Sequence, residues 1–492
     1  METADETDGS GPAQIVAGRE WTVFNNGPLL RVIWVMVVLG LLLWGWMDVR
    51  KRAETNSANP ISHRTDFTVY TEAGAAFFDG RDPYSVTNIR GWYYLYPPLF
   101  AILVAPLHTL PTAWQGFIWF LLSLLMAGGC LFECRAIIGK LLDAGGRTEE
   151  GWCEQQRWII LWAALALLFP VLDTLQRGQV GLAVLWPLLM GFRFTLDTQG
   201  KIRPFCGGIL LAFPVALKVT PALPVCVLLV RLLSDARQQG WSLQPWKRFT
   251  HAAAGVVVGM ALFFVLVPTM TIGWKDNLRH LETWYERVAT NEQVGPAQQF
   301  NVHSVRNQSL ANAVYRLGNW VEFKVAGGPD DRIADALTRS GEKLPMDTAM
   351  VGHLITGMRV FLVILLLVVA VRWRLGADPL GQAAVFALAC AMTLSLSPIS
   401  WGHHFVLLLP GVLLLPLALY AQGRSLAARG LAISAAALLL LHYSALELAG
   451  GIAGRLGVLG IGMTVWCAAV SGFLLYRSPN FVQRPVHLPR DP

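Results

Sequence analysis

The sequence predicts an all-α, polytopic membrane protein, and three observations support this fold class. The chain of 492 residues is 54% hydrophobic but only 14% charged, whereas a soluble globular protein carries about 25% charged residues. Its charges cluster between long apolar runs such as Leu29–Met47 and Met358–Val371, which are long enough, or nearly so, to cross a bilayer. Nineteen tryptophans are suited to anchoring at the headgroup level.

The basic residues indicate membrane topology and no nucleic-acid partner. The net charge is +7, but the lysines and arginines lie in short segments between apolar runs, where they mark cytoplasmic loops. The predicted organisation is a polar cytoplasmic tail over residues 1–28, a transmembrane domain over 29–476 and a cytoplasmic tail over 477–492. The N-terminal tail lacks a basic region before its first apolar run, so the first helix is predicted to be retained.

The apolar runs predict about 11–13 membrane segments. They are expected near 29–49, 97–110, 115–133, 157–172, 179–193, 204–217, 219–233, 251–270, 351–371, 380–397, 403–422, 427–446 and 457–476. Segment 97–110 is short for a span and is either re-entrant or a miscounted helix. A break at Pro221 separates two of the runs, and such interruptions commonly mark substrate sites. Two sizeable extracytoplasmic loops are predicted, over 50–96 and 271–350, the second with an amphipathic helix around Asn277–Val288.

Asp66 is the first candidate site residue, in the stretch "RTDFTVY". Helical spacing after it predicts a helix that ends near Gly80, and Asp66 could be its N-cap, with the carboxylate accepting first-turn N–H groups. The functional interpretation is that a carboxylate at the membrane interface acts as general base on an acceptor hydroxyl. The two roles are compatible, because a cap fixes the position of an acid.

Polar islands inside the apolar regions supply further candidates. "LQRGQVG" places Arg177 and Gln179 between two apolar segments, and "ALKVTPALP" places Lys218 beside a proline break. An ionisable residue at such depth is costly and suggests function, although a lysine that snorkels to the interface is an equal alternative. Arginine and lysine at broken helices would suit a phosphate.

"SPISWGHHF" contributes His403 and His404 at the start of a late apolar segment. Adjacent helical side chains point about 100° apart, so the pair cannot chelate one metal ion, and at least one ring could hydrogen-bond a phosphate or sugar hydroxyl. "NVHSVRNQSL" adds the polar residues Asn307 and Gln308, for which a solvated loop is the alternative. No metal site or other cofactor is predicted.

Taken in order, Asp66-Phe67 with Tyr70, "GRDPY", "YPPLFAILVAPL", "RGQVG", "LKVTPALP", "NQSL" and "SPISWGHHF" resemble glycosyltransferase family 87. This family includes polyprenol-phosphate-mannose-dependent mannosyltransferases, and the resemblance implies a GT-C-type bundle. It also implies an integral plasma (inner) membrane enzyme whose site faces the extracytoplasmic side.

The resemblance implies inverting transfer of a hexose, expected to be mannose, from a polyprenyl-phosphate sugar donor to a lipid-linked or glycan acceptor. The family's general base matches Asp66, and its histidine pair matches His403-His404. Arg177, Lys218 and both histidines are the predicted phosphate ligands. The predicted sugar or acceptor contacts are Tyr70, Tyr96, Gln179, Asn307 and Gln308. The competing function is a transporter or flippase of a lipid-linked sugar, which would also use broken helices and buried cations.

Overall fold

The computed structural model describes residues 28–145, 150–197, 200, 202–239, 243–289, 307–325, 348–372, 379–422, 424–447 and 457–476. Nearly all of them are helical, and the described residues contain no strand beyond an isolated bridge between Thr87 and Tyr93. The predicted all-α class is confirmed. Most of the predicted tails, at 1–27 and 477–492, lie outside the described residues.

The described residues of the first half of the chain form nine α-helices. They are α1 (Pro28–Arg52), α2 (Phe67–Phe78), α3 (Pro98–Val104), α4 (Thr112–Gly145), α5 (Glu150–Arg177), α6 (Gly181–Thr195), α7 (Ile202–Leu217), α8 (Ala222–Gln238) and α9 (Leu243–Met260). Short 3-10 turns cover Pro60–Ser62 and Ala105–Thr109. Residues 28–47, most of α1, form a unit of their own, and the remaining described residues form the second unit.

The second half continues through a π-helical stretch, Ala261–Leu266, into α10 (Val267–Ile272) and α11 (Trp274–Trp284). The later helices are α12 (Leu310–Val325), α13 (Thr348–Arg372), α14 (Pro379–Leu396), α15 (Leu415–Ala421), α16 (Ser425–Glu447) and α17 (Val458–Tyr476). A 3-10 helix, Gly402–Leu408, and a π stretch, Pro410–Leu414, join α14 to α15.

Seven described helices are long and apolar enough to cross a membrane, and a bent pair, Gly402–Leu408 with Pro410–Ala421, could form an eighth span. Four shorter apolar helices, among them α6 and α7, accompany them. Any segment within a bilayer must satisfy its backbone hydrogen bonds internally. An α-helix does so through its own hydrogen bonds, so short helices buried against their neighbours also meet this requirement. The polytopic architecture is therefore confirmed.

Helix α14 forms the centre of the second unit. Almost every side chain along Pro379–Leu396 is buried, and α14 packs against α8, α15 and α17. Its glycine and five alanines (Gly381, Ala383, Ala384, Ala387, Ala389 and Ala391) are small, which lets neighbouring backbones approach closely.

The predicted loop boundaries move slightly. Helix α1 continues to Arg52 and α10 to Ile272, so the loops predicted over 50–96 and 271–350 begin a few residues later. The amphipathic helix expected around Asn277–Val288 is present as α11 and a π turn, Tyr285–Ala289. The break near Pro221 is also present, with residues 218–221 between α7 and α8.

Candidate active site

Asp66 immediately precedes α2, but its carboxylate does not cap that helix. Its backbone is in the αR region, with φ −83° and ψ −13°, whereas an N-cap side chain reaches the first-turn N–H groups from an extended backbone. The capping interpretation is therefore wrong. The carboxylate instead accepts a hydrogen bond from Nε2 of Gln179, and the backbone N–H donates to the carbonyl oxygen of Arg177 at 2.9 Å.

The Asp66 carboxylate is suited to take up a proton. The residue is 8% exposed, and its Oδ1 atom has no hydrogen-bond partner among the residues that the structure describes. Burial is the largest influence and raises the pKa of Asp66 to about 6, although Arg177 and Gln179 act in the opposite direction. A general base works best with a pKa near the operating pH, so the acidity of this carboxylate suits that role.

A glycine turn brings Gln179 to Asp66. Gly178 follows the end of α5 with φ +68°, a conformation that other residues adopt only with strain. A Cβ atom at this position would lie 2.8 Å from Cβ of Phe67. The sequence "RGQ" therefore needs glycine both for the turn and for the close approach of α2.

Aromatic side chains line one side of Asp66. Phe67 stacks on Trp119 with ring centroids 5.0 Å apart, and Tyr70 lies 5.6 Å from Tyr96 by the same measure. The Tyr70 hydroxyl lies 3.4 Å from Oε1 of Gln179. Tyrosines combine an apolar face with a polar tip, so this wall can contact both the ring and the hydroxyls of a sugar.

The two histidine rings pack against each other edge to face on the 3-10 helix. Their ring centroids are 4.5 Å apart and the ring planes are nearly perpendicular. Nε2 of His404 lies 3.0 Å from Nζ of Lys218, and Lys218 lies in the break between α7 and α8. The same Nζ is 5.3 Å from the centre of the Tyr96 ring, so Lys218 connects the histidines with the aromatic wall.

Asp173 is a site residue that the sequence reasoning missed. It lies in the last turns of α5, where Oδ1 accepts from Nε of Arg177 at 2.6 Å and Oδ2 is 3.5 Å from Nδ1 of His403. An acid inside an apolar span, four residues before an arginine, is the signal that could have identified it.

Asn307 and Gln308 brace the segment that precedes the histidines. Oδ1 of Asn307 accepts from the backbone N–H of Ser400 at 3.0 Å, and the backbone N–H of Gln308 donates to the Ser400 carbonyl at 2.7 Å. Nδ2 of Asn307 also donates to the Pro398 carbonyl at 3.4 Å. These contacts give Asn307 a structural use, which differs from the sugar or acceptor contact predicted for it.

The remaining predicted residues, together with Asp173, form a closed series of contacts, which we call the contact circuit. Each member touches the next through a side-chain contact, except that the backbone closes the circuit between Arg177 and Asp66. The members are Asp66, Gln179, Tyr70, Tyr96, Lys218, His404, His403, Asp173 and Arg177. A buried carboxylate, polar aromatic groups and basic side chains thus lie in contact with one another, a combination that suits transfer of a sugar from a phosphate.

Metal coordination has no candidate in the described part of the chain, where no group of three or more His, Cys, Asp or Glu side chains could hold an ion. The predicted chemistry of the contact circuit requires none, because arginine, lysine and histidine can neutralise a phosphate by themselves.

The chain is similar to several known proteins. Residues 94–398 match the model of glycosyltransferase family 87. A "Polyprenol-phosphate-mannose-dependent alpha-(1-2)-phosphatidylinositol mannoside mannosyltransferase" of Mycolicibacterium smegmatis is 28% identical over 87% of this chain and 82% of its own length. A protein of the same name from Mycobacterium tuberculosis is 24% identical over 79% of this chain and 77% of its own.

One solved structure also aligns with the chain. ArnT from Cupriavidus metallidurans, bound to undecaprenyl phosphate, matches with a TM-score of 0.37 and 17% sequence identity. The alignment covers 90% of this chain and 77% of ArnT.

Proposed function

The chain belongs to glycosyltransferase family 87 and is a multi-pass membrane glycosyltransferase; from this premise we propose that it transfers mannose from polyprenyl-phosphate mannose to a phosphatidylinositol-mannoside-type lipid. Family membership decides for an enzyme against the transporter or flippase alternative. The names of both mycobacterial relatives support the proposed donor and acceptor. We place the reaction on the extracytoplasmic side of the plasma (inner) membrane.

In the proposed reaction, Asp66 takes the proton of the acceptor hydroxyl while the acceptor oxygen attacks the anomeric carbon of the donor. The bond between that carbon and the phosphate oxygen breaks, and polyprenyl phosphate leaves with the bonding electrons. Arg177, Lys218 and the histidine pair stabilise the charge that develops on the leaving phosphate. The observation that carries this proposal is the buried Asp66 carboxylate, whose Oδ1 atom has no hydrogen-bond partner among the described residues.

A single displacement with inversion fits the carboxylates of the contact circuit. A retaining double displacement needs a second carboxylate as nucleophile. The other acid of the circuit is Asp173, and its two oxygens face Arg177 and His403. Asp173 is therefore engaged with basic side chains, and Asp66 alone is left to act on the acceptor.

Replacing Asp66 by asparagine tests the base. Asparagine keeps the size of the side chain and its contact with Gln179 but cannot accept the proton. We expect Asp66→Asn to lower mannosyl transfer by about 100-fold or more. Transfer of labelled mannose from polyprenyl-phosphate mannose by purified protein, without nucleotide sugar, measures the effect, and the anomer of the product tests inversion.

A matched control lies at the other end of α2. Asp79 also flanks this helix, but it is exposed and pairs with Arg81. We expect Asp79→Asn to turn over like the wild type per folded molecule. Near-normal turnover of Asp66→Asn would remove Asp66 from the role of base.

A further inference from the structure

Asp173 occupies a costly position that the proposed reaction does not by itself explain. It lies within the apolar span Arg157–Arg177, where an ionised carboxylate is expensive and usually functional. Its side chain is 25% exposed, so it borders an accessible region and is not sealed into the helix bundle.

The first contact of Asp173 orients Arg177. The carboxylate accepts from Nε of the guanidinium at 2.6 Å, one helical turn away. Because the guanidinium is planar, a bond to Nε determines the direction in which its two terminal nitrogens point. The central carbon of the guanidinium lies 5.9 Å from the ring of Trp401. Trp401 directly precedes the 3-10 helix that carries the two histidines.

The second contact concerns His403. Oδ2 of Asp173 lies 3.5 Å from Nδ1 of the ring, and the neighbouring Thr174 donates from Oγ1 to the His403 carbonyl oxygen at 3.1 Å. The end of α5 therefore holds the backbone of His403 through a hydrogen bond, and the Asp173 carboxylate lies beside the ring without hydrogen-bonding to it. A carboxylate beside Nδ1 favours a proton on that ring nitrogen.

Asp173 also balances charge in the contact circuit. Arg177 and Lys218 are the basic side chains of the circuit besides the histidines, and Asp66 and Asp173 are its two acids. The Asp173 carboxylate now neutralises part of the positive charge of Arg177. Without that carboxylate, the full charge of Arg177 would be available to bind an anion. A phosphate would then be held more firmly, but in a less defined orientation.

We propose that Asp173 is a positioning residue for the transfer reaction: its carboxylate holds Arg177 and His403 toward the donor phosphate and limits how tightly the phosphate product is retained. This inference deepens the proposed function and rests on it.

Replacing Asp173 by asparagine removes the charge and keeps the shape. We expect turnover per folded molecule to fall about 10- to 100-fold, the scale of misplaced reacting groups. Binding of undecaprenyl phosphate to the purified protein, measured at equilibrium, should stay equal or become tighter. A merely structural role would instead weaken turnover and binding together, and that result, like normal turnover, would overturn the proposal.

The matched control is an ion pair of the same spacing outside the contact circuit. Asp48 accepts from Nε of Arg52 at 2.7 Å, also four residues apart, and both side chains have exposures close to those of Asp173 and Arg177. We expect Asp48→Asn to leave turnover and phosphate binding unchanged. A similar loss in both variants would show a general effect of removing an ion pair and would overturn the proposal.

Two further variants keep the inference testable if Asp173→Asn folds poorly. Asp173→Glu retains the charge and should recover part of the lost turnover. In an Arg177→Gln background, Asp173→Asn should cost at most about a few-fold, since coupled residues are non-additive. Full additivity, or no recovery with glutamate, would contradict a role exerted through Arg177.

Failure of this inference is distinguishable from failure of the proposed function. If the wild type transfers no mannose from polyprenyl-phosphate mannose, the proposed function fails. If the wild type transfers mannose and Asp173→Asn behaves like Asp48→Asn, only the positioning role fails.

Discussion

At the scale of single residues, burial gives Asp66 its chemistry. Aspartate in water is ionised well below neutral pH, and burial among aromatic residues is what brings its pKa to about 6. Gln179 donates to one carboxylate oxygen, while the other has no hydrogen-bond partner in the described part of the chain. The same residue on an exposed loop would be a weaker base, because its proton affinity would be lower.

The pH dependence of the rate follows from this shift. Only the ionised carboxylate accepts a proton, so we expect turnover of the wild type to fall as the pH drops through about 6. Well below that pH the rate should decrease about tenfold per pH unit. Initial rates at saturating donor and acceptor, normalised to folded protein, measure the profile.

The residual rate of Asp66→Asn provides the comparison. It should not change over the same pH range if Asp66 is the titrating group. A wild-type rate that stays constant down to pH values of about 5 would argue against ionised Asp66 as the base.

At the scale of elements, the turn between α5 and α6 determines the geometry of the base. Gly178 allows the chain to reverse between Arg177 and Gln179, so that the Arg177 carbonyl receives the Asp66 N–H and the Gln179 amide reaches the carboxylate. Gly181, at the start of α6, lies close to the 3-10 helix Gly402–Leu408. A Cβ atom added at Gly181 would be 2.8 Å from the Val406 side chain. Both glycines let separate helices converge on the contact circuit.

Gly178→Ala should disturb this convergence. The positive φ alone costs about 1–2 kcal/mol for a residue with a Cβ, and the added methyl group would also press on Phe67. We expect turnover per folded molecule to fall by about 10-fold or more as Gln179 shifts. Thermal unfolding in detergent reports the loss of stability, and transfer assays report the loss of turnover.

Gly80→Ala separates the two effects. Gly80 also has a positive φ, of +70°, but an added Cβ would meet nothing within 4 Å. The backbone strain is therefore similar while the contact with the site is missing. Equal losses of turnover in the two variants would show that the close approach to Phe67 does not matter.

At the scale of the whole molecule, the bundle brings together groups from distant parts of the chain. The contact circuit joins groups separated by up to 338 positions in the sequence. These groups come from Asp66, the α5–α6 turn, the α7–α8 break and the 3-10 helix Gly402–Leu408. Paired charges elsewhere support the arrangement: Glu133 of α4 and Arg193 of α6 form an ion pair at 2.5 Å. Such pairs are needed because an unpaired charge within a bundle is strongly destabilising.

Membrane topology is the prediction at this scale. We expect the loop after α2 to face the extracytoplasmic side and the start of α16 to face the cytoplasm. Ser85 and Ser425 are exposed on these two segments, so single Ser→Cys variants can report each side. The seven native cysteines must first be replaced.

An impermeant thiol reagent applied to intact cells should label position 85 and leave position 425 unlabelled. Both should react after the membrane is opened. Labelling of both positions in intact cells would contradict the topology and the proposed location of the site.

The sequence by itself determined the fold class and the family, and it proposed most residues of the contact circuit. Low charge content and long apolar runs require a membrane bundle, since nothing else buries such segments, and the ordered motifs from Asp66 to His404 resemble glycosyltransferase family 87. The predicted all-α, polytopic membrane class is confirmed. Polar groups are rare among apolar residues, so the sequence alone identifies Arg177, Lys218 and the histidines as candidate site residues.

Only the tertiary structure decided how these residues are used. Asp66 is predicted to cap α2, but Gln179 donates to its carboxylate instead. Asn307 braces the residues before the histidines, and its contact with substrate stays a prediction. The contact of Asp173 with His403 exists only because α5 packs against the 3-10 helix Gly402–Leu408. Local sequence specifies which side chains are available, whereas the direction of each one depends on neighbours from elsewhere in the chain, because burial and hydrogen bonding are properties of the packed bundle.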